Sequence, residues 1–432
     1  MSDTHAQTVA FVRETQIPPA PPPATETGVI KWVRENLFSS WVNSILTILS
    51  IYFIVRGVIA VYPWFANGVW GTSDLATCRQ ILDGATGACF SVLQDRWRQM
   101  IFGIAYPDDQ YWRPLLAFAL LLVCVAPVLF SKLPRKLLIL SALYPFLAYW
   151  LIWGGTIMIP IMVMVGFVAG YYAFTWAERA SGFAAGLASF VVTASVVWFI
   201  GGLISGAMPG FIALQEVPSR DMGGFMLNMI LGTICVSLSL PLGIVLALGR
   251  QSSMPIIKGI CVVFIEFIRG VPLITLLFVA NVVLAYFFPP GTNLDLILRV
   301  IIMITMFSAA YIAEVIRGGL AALPKGQYEA GDSLGLNYSQ SMRLIILPQA
   351  LKISIPGIVN VAVGLFKDTT LVSVISMFDL VGVLRGPILS STAWTGIYWE
   401  AFGFAALLFF VVCYGISQYS QWLERQLRTD HR

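Results

Sequence analysis

Apolar residues run through this chain in long unbroken stretches, with the polar positions gathered between them. Stretches near 40–62, 114–131, 137–153, 156–176, 183–205, 224–248, 256–288, 294–316, 353–379 and 398–421 approach or exceed the ~20 residues that cross a bilayer's hydrocarbon. The pattern predicts an all-α polytopic membrane protein of about ten transmembrane helices, since a helix satisfies its own backbone in lipid. The third stretch is short and only Gly154-Gly155 separates it from the fourth, so the two read as a tight hairpin. The 256–288 stretch is too long for one upright span: it would reach roughly 48 Å against a hydrocarbon core of about 30 Å. A break is expected near Gly270-Val271-Pro272, with part of the stretch lying at the interface.

Composition agrees with the pattern. Of 432 residues, 58% are hydrophobic and 11% charged, less than half the roughly 25% charge of a soluble domain. The two histidines, His5 and His431, lie in the termini. A histidine metal site or a histidine-based catalytic triad within the membrane is therefore excluded. No Gly-Lys dipeptide occurs, so the chain lacks a Walker A loop and is not expected to be an enzyme that hydrolyses ATP by that chemistry.

Charge placement says more than the net charge of +4. With the amino terminus inside, sixteen lysines and arginines fall in cytoplasmic segments and five in outer ones. This predicts both termini and residues 317–352 in the cytoplasm, and the loop 63–112 outside. Residues 1–39 read as a polar, Pro-rich cytoplasmic tail without the apolar core of a signal peptide. Cys124, Cys235, Cys261 and Cys413 sit in apolar stretches as small core residues. Cys78 and Cys89 share the outer loop, where a disulfide and two free thiols are both open readings.

One polar stretch stands out. It reads Glu329-Ala330-Gly331, three residues, Gly335, nine residues, Ile345, one residue, Leu347-Pro348. Two short helices meeting at Gly335-Leu336-Asn337 would form an amphipathic hairpin, suited to docking in a partner's groove. The spacing resembles the coupling loop of ATP-binding-cassette (ABC) importer permeases, with Gly331 where that family usually has Ala. The resemblance extends over residues 224–421. It is carried by Glu266-Phe267-Ile268-Arg269-Gly270-Val271-Pro272-Leu273, Tyr311-Ile312-Ala313-Glu314-Val315-Ile316-Arg317-Gly318-Gly319, Pro324-Lys325-Gly326-Gln327 and Phe366-Lys367-Asp368-Thr369-Thr370-Leu371-Val372. These segments resemble the polar amino acid class. The extra amino-terminal spans make the whole chain similar to the larger permease of general L-amino acid and glutamate/glutamine/aspartate/asparagine systems.

The resemblance implies an extension of about five helices at 40–222, a five-helix type I ABC importer core at 223–421 and a cytoplasmic tail at 422–432. It implies a bacterial inner membrane and three kinds of partner: a cytoplasmic ABC ATPase dimer, a second paralogous permease and a periplasmic amino-acid-binding protein. ATP and Mg would be held by the ATPase, with no cofactor on this chain. Glu329, Ala330, Gly331, Gly335, Ile345, Leu347 and Pro348 would couple ATPase closure to the membrane path.

Intramembrane charges are functional candidates by default. Lys367 and Asp368, read as mid-span beside Thr369 and Thr370, offer a cation and an anion to a zwitterionic amino acid, with Asn281 as a further path candidate. Structural satisfaction by other helices is the competing reading. Glu266 and Arg269, like Glu314 and Arg317, stand at i and i+3, so each pair is expected to bond within its own helix, or to serve as a gate or interface. Trp41, Trp64, Trp70, Trp112, Trp394 and Trp399 fall near span ends as an aromatic belt. Two rival functions are a stand-alone, ion-driven secondary amino acid transporter and a membrane scaffold. An ion-driven carrier has no use for the coupling loop.

Overall fold

The computed structural model describes residues 28–427 apart from 131, 208, 209, 211, 284, 285 and 287–293. His5, His431 and the Pro-rich run lie outside the described residues. Two compact units are distinguished: residues 28–69 with 82–88, and residues 70–81 with 89–427.

The first unit holds α1 (Gly28–Asn36) and α2 (Trp41–Ala66). Residues 28–36 are helical where an unstructured tail was expected. Val29, Ile30 and Trp32 give that segment apolar positions, and Lys31 pairs with Glu35 one turn on at 3.7 Å. Ser40 caps α2 by accepting the amide of Asn43.

In the second unit, α3 (Leu75–Leu82) and α4 (Ser91–Phe102) fold the 63–112 loop. The helices α5 (Trp112–Leu129), α6 (Leu138–Trp153), α7 (Met158–Ser181) and α8 (Phe183–Ala207) complete the amino-terminal extension. Gly154 and Gly155, at φ of 79° and 78°, turn the chain out of α6 into a two-residue strand, β1 (Gly155–Thr156). This pairs antiparallel with β2 (Ala213–Leu214). The fully buried Arg113 locks the junction by donating to the carbonyls of Leu151 (2.6 Å), Gln215 (2.8 Å) and Ile152 (3.4 Å).

The carboxyl-terminal part has five membrane elements: α9 (Gly224–Arg250), the bent pair α10 (Pro255–Gly270) and α11 (Leu273–Phe278), α12 (Leu296–Ala321), α15 (Leu347–Asp368) and α17 (Tyr398–Leu427). Between them lie α13 (Gly326–Ser333), α14 (Tyr338–Ser341) and α16 (Leu380–Val383). Among the described residues nine helices are long and apolar enough to cross a membrane, or ten with the bent pair. That pair turns through 104° at Val271-Pro272, where the proline ring forbids the helix from continuing. The helix α10 buries Cys261, Ile265 and Ile268, one face at helical spacing, and leaves Ile256, Ile260, Val263 and Phe267 exposed.

The boundary at 222–223 is no break in packing. Phe102, Leu151 and Ile152 of the extension share one buried cluster with Met226, Leu227 and Ile304 of the carboxyl-terminal part.

Candidate functional site

The segment expected to couple is a helical hairpin. Leu323 and Pro324 end α12, and α13 then carries Glu329, Ala330 and Gly331. Gly335, at φ of 70°, takes the left-handed conformation that reverses the chain, and the amide of Leu336 reaches back to the Gly331 carbonyl at 3.2 Å. Asn337 and Gln340 then form a reciprocal capping box, 2.8 and 3.1 Å, that starts α14. One π-helical turn over Met342–Ile346 leads into α15. Tyr338–Ile375 is thus one continuous helical element.

The hairpin has two faces. Gly331, Ser341, Met342 and Ile346 are buried, the last two in a cluster with Ile316, Leu320 and Leu323 of the α12 end. Gly331 meets Ser341 so closely that a Cβ there would collide with the serine hydroxyl and stand 3.2 Å from its Cβ. The other face presents Leu334 (72% exposed), Tyr338 (66%) and Leu344 (65%) among exposed Glu329, Asp332 and Arg343. Ile345 and Leu347 are half-buried, while Ala330, Gly335 and Pro348 are exposed.

Beside the hairpin base, five charged side chains from three helices converge. Arg250 at the end of α9 bonds both Glu266 of α10 (2.9 Å) and Glu314 of α12 (2.7 Å). Glu314 also receives Arg317 at 3.0 Å and Arg269 at 3.7 Å, and Arg269 lies over the Tyr311 ring at 5.5 Å. The pairing expected between Glu266 and Arg269 is therefore corrected. The 104° bend carries α10 across the ends of α9 and α12, which brings Arg250 to Glu266 and turns Arg269 toward Glu314. Glu314 and Arg317 do bond within one helix.

Lys367 and Asp368 close α15. The helix α15 starts at Leu347, earlier than the 353 expected, so the pair falls at its far end, followed by a 3-10 segment over Thr369–Ile375. Lys367 is exposed and Asp368 half-buried, and no ion pair to either is formed among the described residues. The threonine hydroxyls are occupied: Thr369 donates to the Phe366 carbonyl (2.7 Å) and Thr370 to that of Lys367 (2.9 Å). Asn281 lies in a π-helical segment, Val279–Val283, where its carbonyl accepts from Arg299 at 3.1 Å. No hydrogen bond joins it to Lys367–Thr370 among the described residues.

A buried polar network at this far end was not anticipated. Asn228 of α9 donates to Thr369 (3.0 Å) and Asp379 (3.2 Å) and accepts from the Leu380 amide (3.1 Å). Asp379 caps α16 through the amides of Gly382 (2.9 Å) and Val381 (3.2 Å). Burial pushes its carboxyl up to about 6, against the lowering effect of those hydrogen bonds. Asp379 ahead of an apolar run is a cap signature that sequence reading could have used; its junction with Asn228 has no local signal.

The segment between α2 and α5 is a folded cap. Cys78 and Cys89 are joined by a disulfide. The amide of Cys89 donates to Glu400 at 3.0 Å, the Leu75 amide donates to the Ala393 carbonyl at 2.9 Å, and the Trp394 indole donates to Asp95 at 2.8 Å. Trp394 is thus buried in the seam between cap and α17 and is no belt residue, whereas Trp41, Trp70, Trp112 and Trp399 are exposed.

Residues 239–429 match the family described as binding-protein-dependent transport system inner membrane component. The chain is 50% identical, over its full length and that of the relative, to the glutamate/glutamine/aspartate/asparagine transport system permease protein BztC of Rhodobacter capsulatus. It is 38% identical to the inner membrane amino-acid ABC transporter permease protein YhdY of Escherichia coli, covering 95% of this chain and 96% of that one. A solved amino acid ABC transporter with histidines is 32% identical over 47% of this chain and 92% of that one, at a TM-score of 0.42. The full-length match and the family segment converge: the chain belongs to the ABC transporter permeases, the membrane-spanning components of binding-protein-dependent transport systems.

Proposed function

We propose that the chain is the larger membrane subunit of an ATP-driven importer of polar amino acids, with glutamate, glutamine, aspartate and asparagine as the substrate class. The observation that carries this reading is the outward face of the 326–346 hairpin, which holds the coupling motif and exposes Leu334, Tyr338 and Leu344 to a partner. Its occupant is a cytoplasmic ATPase, which binds the ATP and Mg that this chain does not. A second, paralogous permease completes the path, and a periplasmic binding protein delivers substrate at the opposite end. The excess of lysine and arginine supports placing the hairpin and both termini in the cytoplasm of a bacterial inner membrane.

The mechanism follows from helix continuity. From Tyr338 to Asp368 the chain is helical without a break, a rod of roughly 45 Å at 1.5 Å per residue. Closure of the ATPases moves the hairpin as a rigid body, and the rod carries that motion to Lys367 and Asp368. A cation beside a carboxylate, neither in a salt bridge among the described residues, suits the carboxylate and ammonium of an amino acid.

The test is isolation of the tagged chain from native membranes in mild detergent, followed by uptake in proteoliposomes. A Walker-motif ATPase and a smaller permease should co-purify and be lost when Glu329 and Gly335 are replaced. Uptake should require ATP. Recovery of the chain alone, accumulating amino acids without ATP, would overturn the reading in favour of an ion-driven carrier.

A further inference from the structure

The ends of α5 and α17 meet at the same end of the molecule as the coupling hairpin, because α15 runs away from the hairpin and α17 returns. Tyr419 of α17 donates its hydroxyl to the Leu129 carbonyl at 2.6 Å. The rings of Phe130, Tyr419 and Trp422 lie 5.5 to 5.9 Å apart, centroid to centroid. Just beyond this aromatic floor, Lys132, Trp422, Arg425 and Gln426 line an open cavity of about 460 Å³.

Two cations thus face one cavity from opposite sides of the seam between the extension and the last helix of the core. No salt bridge to either is formed among the described residues; Arg425 donates to its own helix at the Gln421 carbonyl, 3.2 Å. Arg135 and Lys136 follow in the same exposed connection. Glu424, next to Arg425, points about 100° away around the helix and has an engagement of its own. Like charges across a seam repel, and an anion between them reverses the sign of that interaction. The position, where the apolar spans end, and the aromatic floor call for an anion with an apolar tail.

We propose that this cavity binds the headgroup of an anionic phospholipid. The phosphate sits between Lys132 and Arg425, and the glycerol and first acyl carbons lie on Trp422 and Phe130. Basic pockets between helices at the membrane boundary recognise lipid phosphates in this way. The lipid joins the amino-terminal extension to the core at the end where the ATPase stroke enters.

The experiment uses the intact complex, delipidated in detergent. Phosphatidylglycerol is titrated back and bound lipid is read by native mass spectrometry, with phosphatidylcholine and inorganic phosphate as separate arms. Wild type should retain phosphatidylglycerol in preference to phosphatidylcholine, and millimolar phosphate should not displace it. The double variant Lys132→Gln/Arg425→Gln should bind phosphatidylglycerol about thirtyfold more weakly, each lost cation weakening it about fivefold. Lys132→Arg/Arg425→Lys, with the charge kept, should bind as wild type. Equal retention by the glutamine variant would overturn the proposal, as would equal binding of phosphatidylcholine or full displacement by inorganic phosphate. Co-purification of the partner subunits with each variant reports that it is folded.

Discussion

Gly331 tests whether the hairpin's inner contact sets its coupling geometry. Glycine at the sixth residue of the eight-residue α13 forgoes about 1 kcal/mol of helix propensity relative to alanine. The close approach to Ser341 favours glycine in this packing: a methyl group at 331 meets the serine hydroxyl and comes within 3.2 Å of its Cβ. Overpacking of this kind costs about 1–3 kcal/mol, so Gly331→Ala nets up to about 2 kcal/mol of strain after the propensity gain. The buried Ser341 sits in the helix leading to α15, so the strain tips α13 relative to that rod rather than unfolding the membrane core. Stimulation of ATP hydrolysis by the loaded binding protein should fall by up to about 30-fold, the factor that about 2 kcal/mol spans. Ser341→Ala removes the colliding hydroxyl, which makes no hydrogen bond among the described residues, and is expected to act alone as wild type. Gly331→Ala/Ser341→Ala should recover most of the stimulation, giving a non-additive cycle. Undiminished coupling in Gly331→Ala, or an additive double variant, would refute the reasoning.

Glu314→Gln removes the carboxylate shared by Arg250, Arg269 and Arg317 and should lower the stability of the purified complex by roughly 2 kcal/mol. Glu266→Gln should cost less, because its side chain is 53% exposed against 15% for Glu314; thermal midpoints of equal size would contradict that ranking. Loss of the Cys78–Cys89 bridge, closing a separation of 11 residues, should cost about 3 kcal/mol, read as faster proteolysis of the outer cap in the double serine variant. For Asp379, burial raises the carboxyl to about 6 from 3.8, so the folded chain favours the protonated form. Its contribution is fully present below 3.8 and is lost as pH rises through about 6. Asp379→Asn keeps a capping side chain, and the stability of wild type relative to this variant should therefore decline between pH 4 and about 6.5. A difference that stays flat over this window would remove Asp379 as the titrating group.

What the sequence made legible was local. Membrane elements follow from apolar length, the α10–α11 break from Gly270-Val271-Pro272, and the hairpin reversal from Gly335 with the Asn337 cap, each encoded within a few residues of where it acts. The misreadings share the opposite property. Glu266 was assigned to Arg269 because i,i+3 spacing is visible along a chain, while Arg250 lies 16 residues away and reaches it only once α10 bends across α9. Trp394 looked like a belt residue because its partner Asp95 is 299 positions distant. Asn228 offered no signal, since the groups it joins lie 141 to 152 residues further on. The early start of this helix is hidden for another reason: α14, Tyr338–Ser341, is polar enough to read as loop, although it runs through the π-turn into α15. That continuity binds the local and the distant parts together. Glu329, Ala330 and Gly331 stand on α13 across the Gly335 reversal, whereas Ile345, Leu347 and Pro348 share a single helical element with Lys367 and Asp368, so motion of the hairpin reaches those charges along one rod.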